Sequence, residues 1–133
     1  MIGILLIAHG NLGDSLIDCA TYVLAQHPPQ LASLNLTDFA DIDAMRIAAR
    51  TKISNLDDGN GVLVLADVYG ATPCNTICRL LDEPRVEVVA GVNVPMLLKV
   101  LTYRHSDLQT LADLAANGAR DGAFRVPRGQ HHG

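Results

Sequence analysis

The chain has 133 residues, 49% hydrophobic and 18% charged, enough for one domain with a sizeable core and too apolar for a disordered tract. A formal charge of -4, no tryptophan and aromatics at 4% leave neither a basic footprint nor stacking platforms, which excludes nucleic acid as the expected partner. The apolar start has no basic n-region and meets His9 far short of a membrane span, so the chain is expected to be cytoplasmic, with no direct membrane insertion.

In chain order, the apolar run at residues 2–8 predicts a strand covered on both faces. A helix follows, with Leu16, Ile17, Ala20, Val23 and Leu24 on one face, and His27-Pro28-Pro29 stops it. The alternating segment at residues 31–36 reads as an edge strand. A second helix starts at Asp41 or Asp43, has an apolar side of Ile42, Met45, Ala49 and Ile53, and carries Lys52 near its end. The turn at residues 57–61 leads into a second covered strand at residues 61–66. A third helix is expected at residues 73–81 and a further strand at residues 86–92. Pro95 opens the next helix, and Ser106 or Asp107 caps the last one, which closes around Gly118 to Gly122. The short segment Ala123-Phe124-Arg125-Val126 suggests one more edge strand. Alternating strands and helices imply a doubly wound α/β fold: a four-stranded parallel sheet, helices on both faces, and a short antiparallel C-terminal edge strand. The domain is expected over residues 1–126, with residues 127–133 a short flexible tail.

Three cysteines, Cys19, Cys74 and Cys78, cannot all pair within one chain and suit a reducing compartment. Cys74 and Cys78 share a helix face but would need further ligands to hold a metal, and His131 with His132 is at most a loose metal site. No metal and no other cofactor is expected.

In open α/β sheets the functional crevice lies beyond the carboxyl ends of the strands, which singles out His9, Asp67 and Asn93. Taken singly, each also has a plain structural reading as a turn or cap residue. The stretch Asp67-Val68-Tyr69-Gly70-Ala71-Thr72-Pro73-Cys74-Asn75 is more informative, because Thr72-Pro73 suits the N-cap and first position of a helix. Free amides at such a helix N-terminus favour a phosphate, and Gly10, Gly70, Ala71, Thr72 and Asn75 are the candidate phosphate-binding residues. The segment at residues 9–15 offers a second helix N-terminus. No Walker or dinucleotide glycine motif occurs, so nucleotide binding is unsupported. An imidazole beside a carboxylate and a phosphate cradle describes a histidine that itself accepts a phosphoryl group, with Asp67 fixing the ring tautomer.

His9-Gly10, the Asp67 to Asn75 stretch and Gly91-Val92-Asn93-Val94-Pro95-Met96-Leu97 stand together in an order and spacing that resembles the IIA domain of the mannose-family sugar phosphotransferase system. The resemblance covers almost the full length. It implies a phosphohistidine carrier in which His9 accepts from the protein HPr and passes the group to a IIB partner of a membrane permease complex. It also implies Asp67 as the orienting acid, Thr72 with the following amides as the cradle, and a homodimer in which the last strand crosses to the partner copy. The chain departs from the frequent Trp-Gly-Gly-Ser-Pro in having Tyr69-Gly70-Ala71-Thr72-Pro73, which keeps a hydroxyl at Thr72. With no linker after residue 126, a stand-alone IIA is expected, and nothing names a sugar.

Two relatives of this chemistry and one rival from another class are weighed beside it. A phosphotransfer subunit serving dihydroxyacetone kinase shares the fold and histidine, and a purely regulatory module would keep the chemistry at His9 while controlling another protein. A tetrapyrrole metal chelatase also starts with a strand running into His-Gly, but it needs a second histidine at another strand end, and none lies between His27 and His105.

Overall fold

The computed structural model of the chain describes residues 1–68 and 83–129. In order these form β1 (Gly3–Ala8), α1 (Leu12–Leu24), β2 (Leu31–Asn35), a 3-10 turn (Leu36–Asp38), α2 (Ile42–Leu56), β3 (Val62–Ala66), β4 (Val86–Ala90), α3 (Val94–Thr102) and α4 (Leu108–Asp121). The helix expected at residues 73–81, with Cys74 and Cys78, lies outside the described residues, as do His131 and His132. Cys19 is a free, exposed thiol.

The four strands pair in the order β2-β1-β3-β4, and every pairing is parallel. Burial on both faces explains the unbroken apolar runs of β1 and β3. Ile4, Leu6, Leu63 and Leu65 point to one face and pack with Leu16, Ile17 and Ala20 of α1, Met96 and Leu97 of α3, and Leu111 and Ala115 of α4. Leu5, Ile7, Val62 and Val64 point to the other and meet Met45, Ala49, Ile53 and Leu56 of α2. Each large aliphatic chain removed from water this way contributes about 1.5–3 kcal/mol. The doubly wound α/β architecture expected from the element order is therefore present, with β2 at one edge, as expected, and β4 at the other.

Short polar side chains set the helix starts. Asp41 caps α2 by accepting from the Asp43 amide at 2.8 Å. Asp107 caps α4, accepting from the Thr110 amide at 2.9 Å. α1 has no side-chain cap, and its buried stripe of Gly13, Leu16, Ile17 and Ala20 ends a turn before the helix does, leaving Val23 and Leu24 exposed. Gly13 permits a close approach, since a Cβ there would lie 2.9 Å from the Ser33 Cβ and push α1 off β2.

The antiparallel edge strand expected at Ala123 to Val126 is not formed within the single chain. Residues 123–127 have no regular structure, and Phe124 and Val126 are exposed. α4 delivers the chain at Gly122 against Pro95, at the start of α3, rather than onto β4, whose outer edge pairs with no strand among the described residues.

Candidate functional site

The strand order places the site. From β1 the chain crosses through α1 to β2 on one side, while β3 lies on the other side of β1, so the direction of winding reverses between β1 and β3. At such a switch point the loops leaving adjacent strands diverge and open a crevice. His9 follows the last residue of β1 and Asp67 follows the last residue of β3.

The parallel register brings them together. Ile7 is level with Ala66, and the Asp67 amide donates to the Ile7 carbonyl at 3.3 Å, so the Asp67 side chain emerges beside His9. One carboxylate oxygen, Oδ2, accepts from the His9 backbone amide at 3.0 Å and lies 2.9 Å from His9 Nδ1. The other, Oδ1, accepts from the Val68 amide at 2.8 Å. Burial of the Asp67 carboxyl works to raise its pKa, but the His9 amide, the His9 ring and the Val68 amide together outweigh it and hold the group below the ordinary carboxylate value. Asp67 is therefore an anion at neutral pH.

An ionised carboxylate can only accept, so Nδ1 carries the proton of a neutral His9 ring, an assignment made from the hydrogen-bond network. Nε2 then carries the lone pair. The His9 side chain is 44% exposed against 12% for Asp67, and no described residue bonds to Nε2. The pair is a partly exposed ring held by its Nδ1, with the lone pair left on the other nitrogen.

Gly10 follows with φ +61, a left-handed conformation that glycine adopts without strain and that turns the chain out of β1 toward α1. A Cβ at Gly10 would meet nothing within 4 Å, so conformation and not space demands glycine. The other phosphate-binding candidates, Gly70, Ala71, Thr72 and Asn75, lie outside the described residues.

Asn93, the third strand-end residue, is built into the scaffold. Its carbonyl oxygen accepts from the Met96 amide at 2.9 Å, capping α3, and its amide donates to the Ala119 carbonyl of α4 at 3.2 Å. The plain reading of Asn93 is the one observed.

Sequence reasoning passed over the end of β2. There Ser33 and Asn35, with Asp14 of α1, Asp38 and Phe39 after β2, and Lys52 of α2, line a cavity of about 260 Å³ that reaches Gly10. The available signal was the carboxyl end of the segment read as a weak edge strand. Among the described residues no cluster of three or more His, Cys, Asp or Glu side chains could hold a metal, and no helix is long and apolar enough to cross a membrane.

Residues 3–117 match the EIIA-man family, described as the PTS system fructose IIA component. The mannose-specific EIIAB component of Escherichia coli strain K12 is 29% identical over 124 residues, covering 91% of this chain but 38% of that protein. The fructose-specific EIIA component of Bacillus subtilis strain 168 is 25% identical over 105 residues, 78% of this chain and 71% of the relative. Among solved structures, the mannose/sorbose-specific IIA subunit from Enterococcus faecalis superposes with a TM-score of 0.84 over 98% of both chains at 18% identity, a likeness of fold. The match over residues 3–117, on a doubly wound sheet of the same architecture, places the chain in the mannose-type IIA family of the phosphotransferase system.

Proposed function

We propose that the chain is a cytoplasmic phosphohistidine carrier: His9 accepts a phosphoryl group from phospho-HPr and passes it to a IIB protein or domain. The observation that carries the reading is the His9–Asp67 pair at the switch point, with Nδ1 2.9 Å from the carboxylate on a ring that is partly exposed. In the step, His9 Nε2 attacks phosphorus, one N–P bond forms as the donor's N–P bond breaks, and the donor ring leaves as neutral imidazole. Nδ1 keeps its proton throughout. The His9 ring becomes a phosphorylated cation, which the Asp67 anion stabilises at hydrogen-bond distance. Neither metal nor nucleotide enters. Gly10, Gly70, Ala71, Thr72 and Asn75 are proposed to cradle the phosphoryl oxygens, with Asn75 and the Thr72 hydroxyl adding donors to the free backbone amides.

Incubation with enzyme I, HPr and phosphoenolpyruvate is expected to phosphorylate the chain on His9, giving a label that is lost in brief acid and survives alkali. A label on a His9→Ala protein, or one stable to acid, would overturn the assignment.

The carrier is further proposed to be a homodimer in which residues 123–126 of each copy pair with the other copy's β4. The outer edge of β4, unpaired among the described residues, and the exposed Phe124 and Val126 support this reading. Light scattering at micromolar concentration should give a dimer mass, and deletion from Ala123 onward should shift it to monomer. A monomer mass for the full chain contradicts it.

A further inference from the structure

The fold demands glycine at Gly61. Its φ of +92 lies in the left-handed region, and a Cβ there would meet the Arg85 carbonyl oxygen at 2.8 Å and Leu108 Cδ2 at 3.0 Å. Its carbonyl accepts from the Gly3 amide at 3.0 Å, which joins the approach to β3 to the start of β1. Those two strands lead to Asp67 and His9 at their other ends.

The residue before it, Asn60, is exposed in the turn that enters β3. Asparagine followed by glycine is the pair most open to spontaneous ring closure, because no side chain shields the following amide nitrogen. The Gly61 nitrogen gives its proton to a solvent base and attacks Asn60 Cγ. A nitrogen–carbon bond forms, the bond from Cγ to the side-chain nitrogen breaks, and that nitrogen takes up a proton and leaves as ammonia. Water then opens the cyclic imide, at one carbonyl to give aspartate and at the other to give isoaspartate, whose backbone is one carbon longer.

Both ends of that step are held in the folded chain. The Gly61 amide donates to Asp57 Oδ1 at 3.0 Å, and Asn60 Nδ2 donates to Asp58 Oδ1 at 2.9 Å. Asp57 is itself fixed: Oδ1 also accepts from the Gly59 amide at 2.8 Å, and Oδ2 accepts from Arg85 Nε and Nη2 at 3.2 and 2.9 Å. Burial works to raise the Asp57 pKa, but the Gly59 and Gly61 amides and Arg85 outweigh it, so the group is an anion at neutral pH. That anion engages the Gly61 proton, opposes the negative charge the nitrogen must acquire, and is too weak a base to take the proton itself. The chain's other Asn-Gly pair, Asn117-Gly118, lies inside α4, where the helix engages the glycine amide.

We propose that Asn60 is a modification site, the point at which this chain deamidates spontaneously, and that Asp57 is the residue that restrains it. Packing keeps Gly61 a glycine, so the reactive pair is controlled through the hydrogen bond on its nitrogen. Isoaspartate at Asn60 places an extra carbon directly ahead of Gly61 and displaces it from its seat against Arg85 and Leu108.

Wild type, Asp57→Ala and Arg85→Met are incubated at neutral pH below their melting temperatures, with circular dichroism confirming the fold, and deamidation at each asparagine is followed by tandem mass spectrometry. Asp57→Ala is expected to raise the rate at Asn60 about 10- to 100-fold, the rate equivalent of one hydrogen bond to a charged group. Arg85→Met loosens the same turn but leaves the carboxylate in place, so its rise should be much smaller. Asn117 should stay unchanged in all three. Should Asp57→Ala lose its fold, Asp57→Asn carries the test: it keeps an acceptor without the charge and is expected to give a rate between wild type and a fully unrestrained Asn60. An unchanged or lower rate in the Asp57 variant, an equal rise in Arg85→Met, or deamidation of Asn117 ahead of Asn60 overturns the proposal. The readout is chemical change at Asn60, so it is independent of phosphoryl transfer through His9.

Discussion

Asp67→Ala is expected to slow phosphoryl transfer to and from His9 by about 10²- to 10⁴-fold, the range for loss of a positioned acid–base partner. Three hydrogen bonds converge on this carboxylate, two of them from His9 itself, and all three go with the side chain. The ring then loses the acceptor that fixes its tautomer and the anion that offsets its charge after phosphorylation. Asp67→Asn keeps an acceptor oxygen but not the charge, so its loss should be smaller. Thr72→Ala should cost less still, since backbone amides remain in the proposed cradle. Stability carries a second signature. The folded-state pKa of Asp67 lies below its unfolded value, so its contribution is present above about pH 4 and is lost as pH falls through the folded pKa. Asp67→Ala should flatten that acid limb. Stopped-flow transfer rates and acid unfolding curves check both, and wild-type rates in Asp67→Ala would remove the residue from the mechanism.

Arg104→Met is expected to destabilise the fold by about 2–4 kcal/mol, through buried carbonyls left without donors, and to lower Tm by about 10 °C. Arg104 is 4% exposed and sits in the loop between α3 and α4. Its guanidinium donates through Nε and Nη2 to the Ile2 carbonyl at 3.2 and 2.8 Å, through Nη2 to the Gln30 carbonyl at 2.9 Å, and through Nη1 to the Pro29 carbonyl at 2.6 Å. One side chain thus ties the approach to β1 to the approach to β2. Burial depresses its pKa and the nearby Asp58 charge opposes that, yet a guanidinium stays protonated at neutral pH. Methionine fills much of the space but supplies no donor. Lysine should rescue only in part, because an ammonium cannot reproduce the planar fork. Thermal unfolding measures both variants, and an unchanged Tm in Arg104→Met would show the clamp to be dispensable.

The arrangement of strands and the central pair were legible for one physical reason. A parallel strand buried on both faces leaves an unbroken apolar run, and the residue that ends the run is where the crevice opens. β1 ends in His9 and β3 in Asp67, so reading strand ends found both. The same reasoning raised Asn93, whose spacing to Met96 equally suits a cap, and only the coordinates separate the two roles. The cavity at the end of β2 was not legible because its residues come from four separate elements, and β2, with partly exposed Ala32 and Ser33, leaves a weaker pattern. Arg104 was missed because its partners are backbone carbonyls, which carry no side-chain signature. The segment at residues 123–126 has strand-forming residues but no place in its own sheet: propensity reports what a segment favours, and the path of α4 decides what it can reach.

The central claim is that Asp67 holds His9 by Nδ1 so that Nε2 is the phosphoacceptor. Nitrogen-15 and phosphorus-31 NMR of the chain, labelled in its histidines and phosphorylated by phospho-HPr, tests it directly. The predicted result is a single phosphohistidine, at His9, with a nitrogen–phosphorus coupling at Nε2 and a proton on Nδ1. A phosphoryl group on Nδ1, or on any residue other than His9, would contradict it.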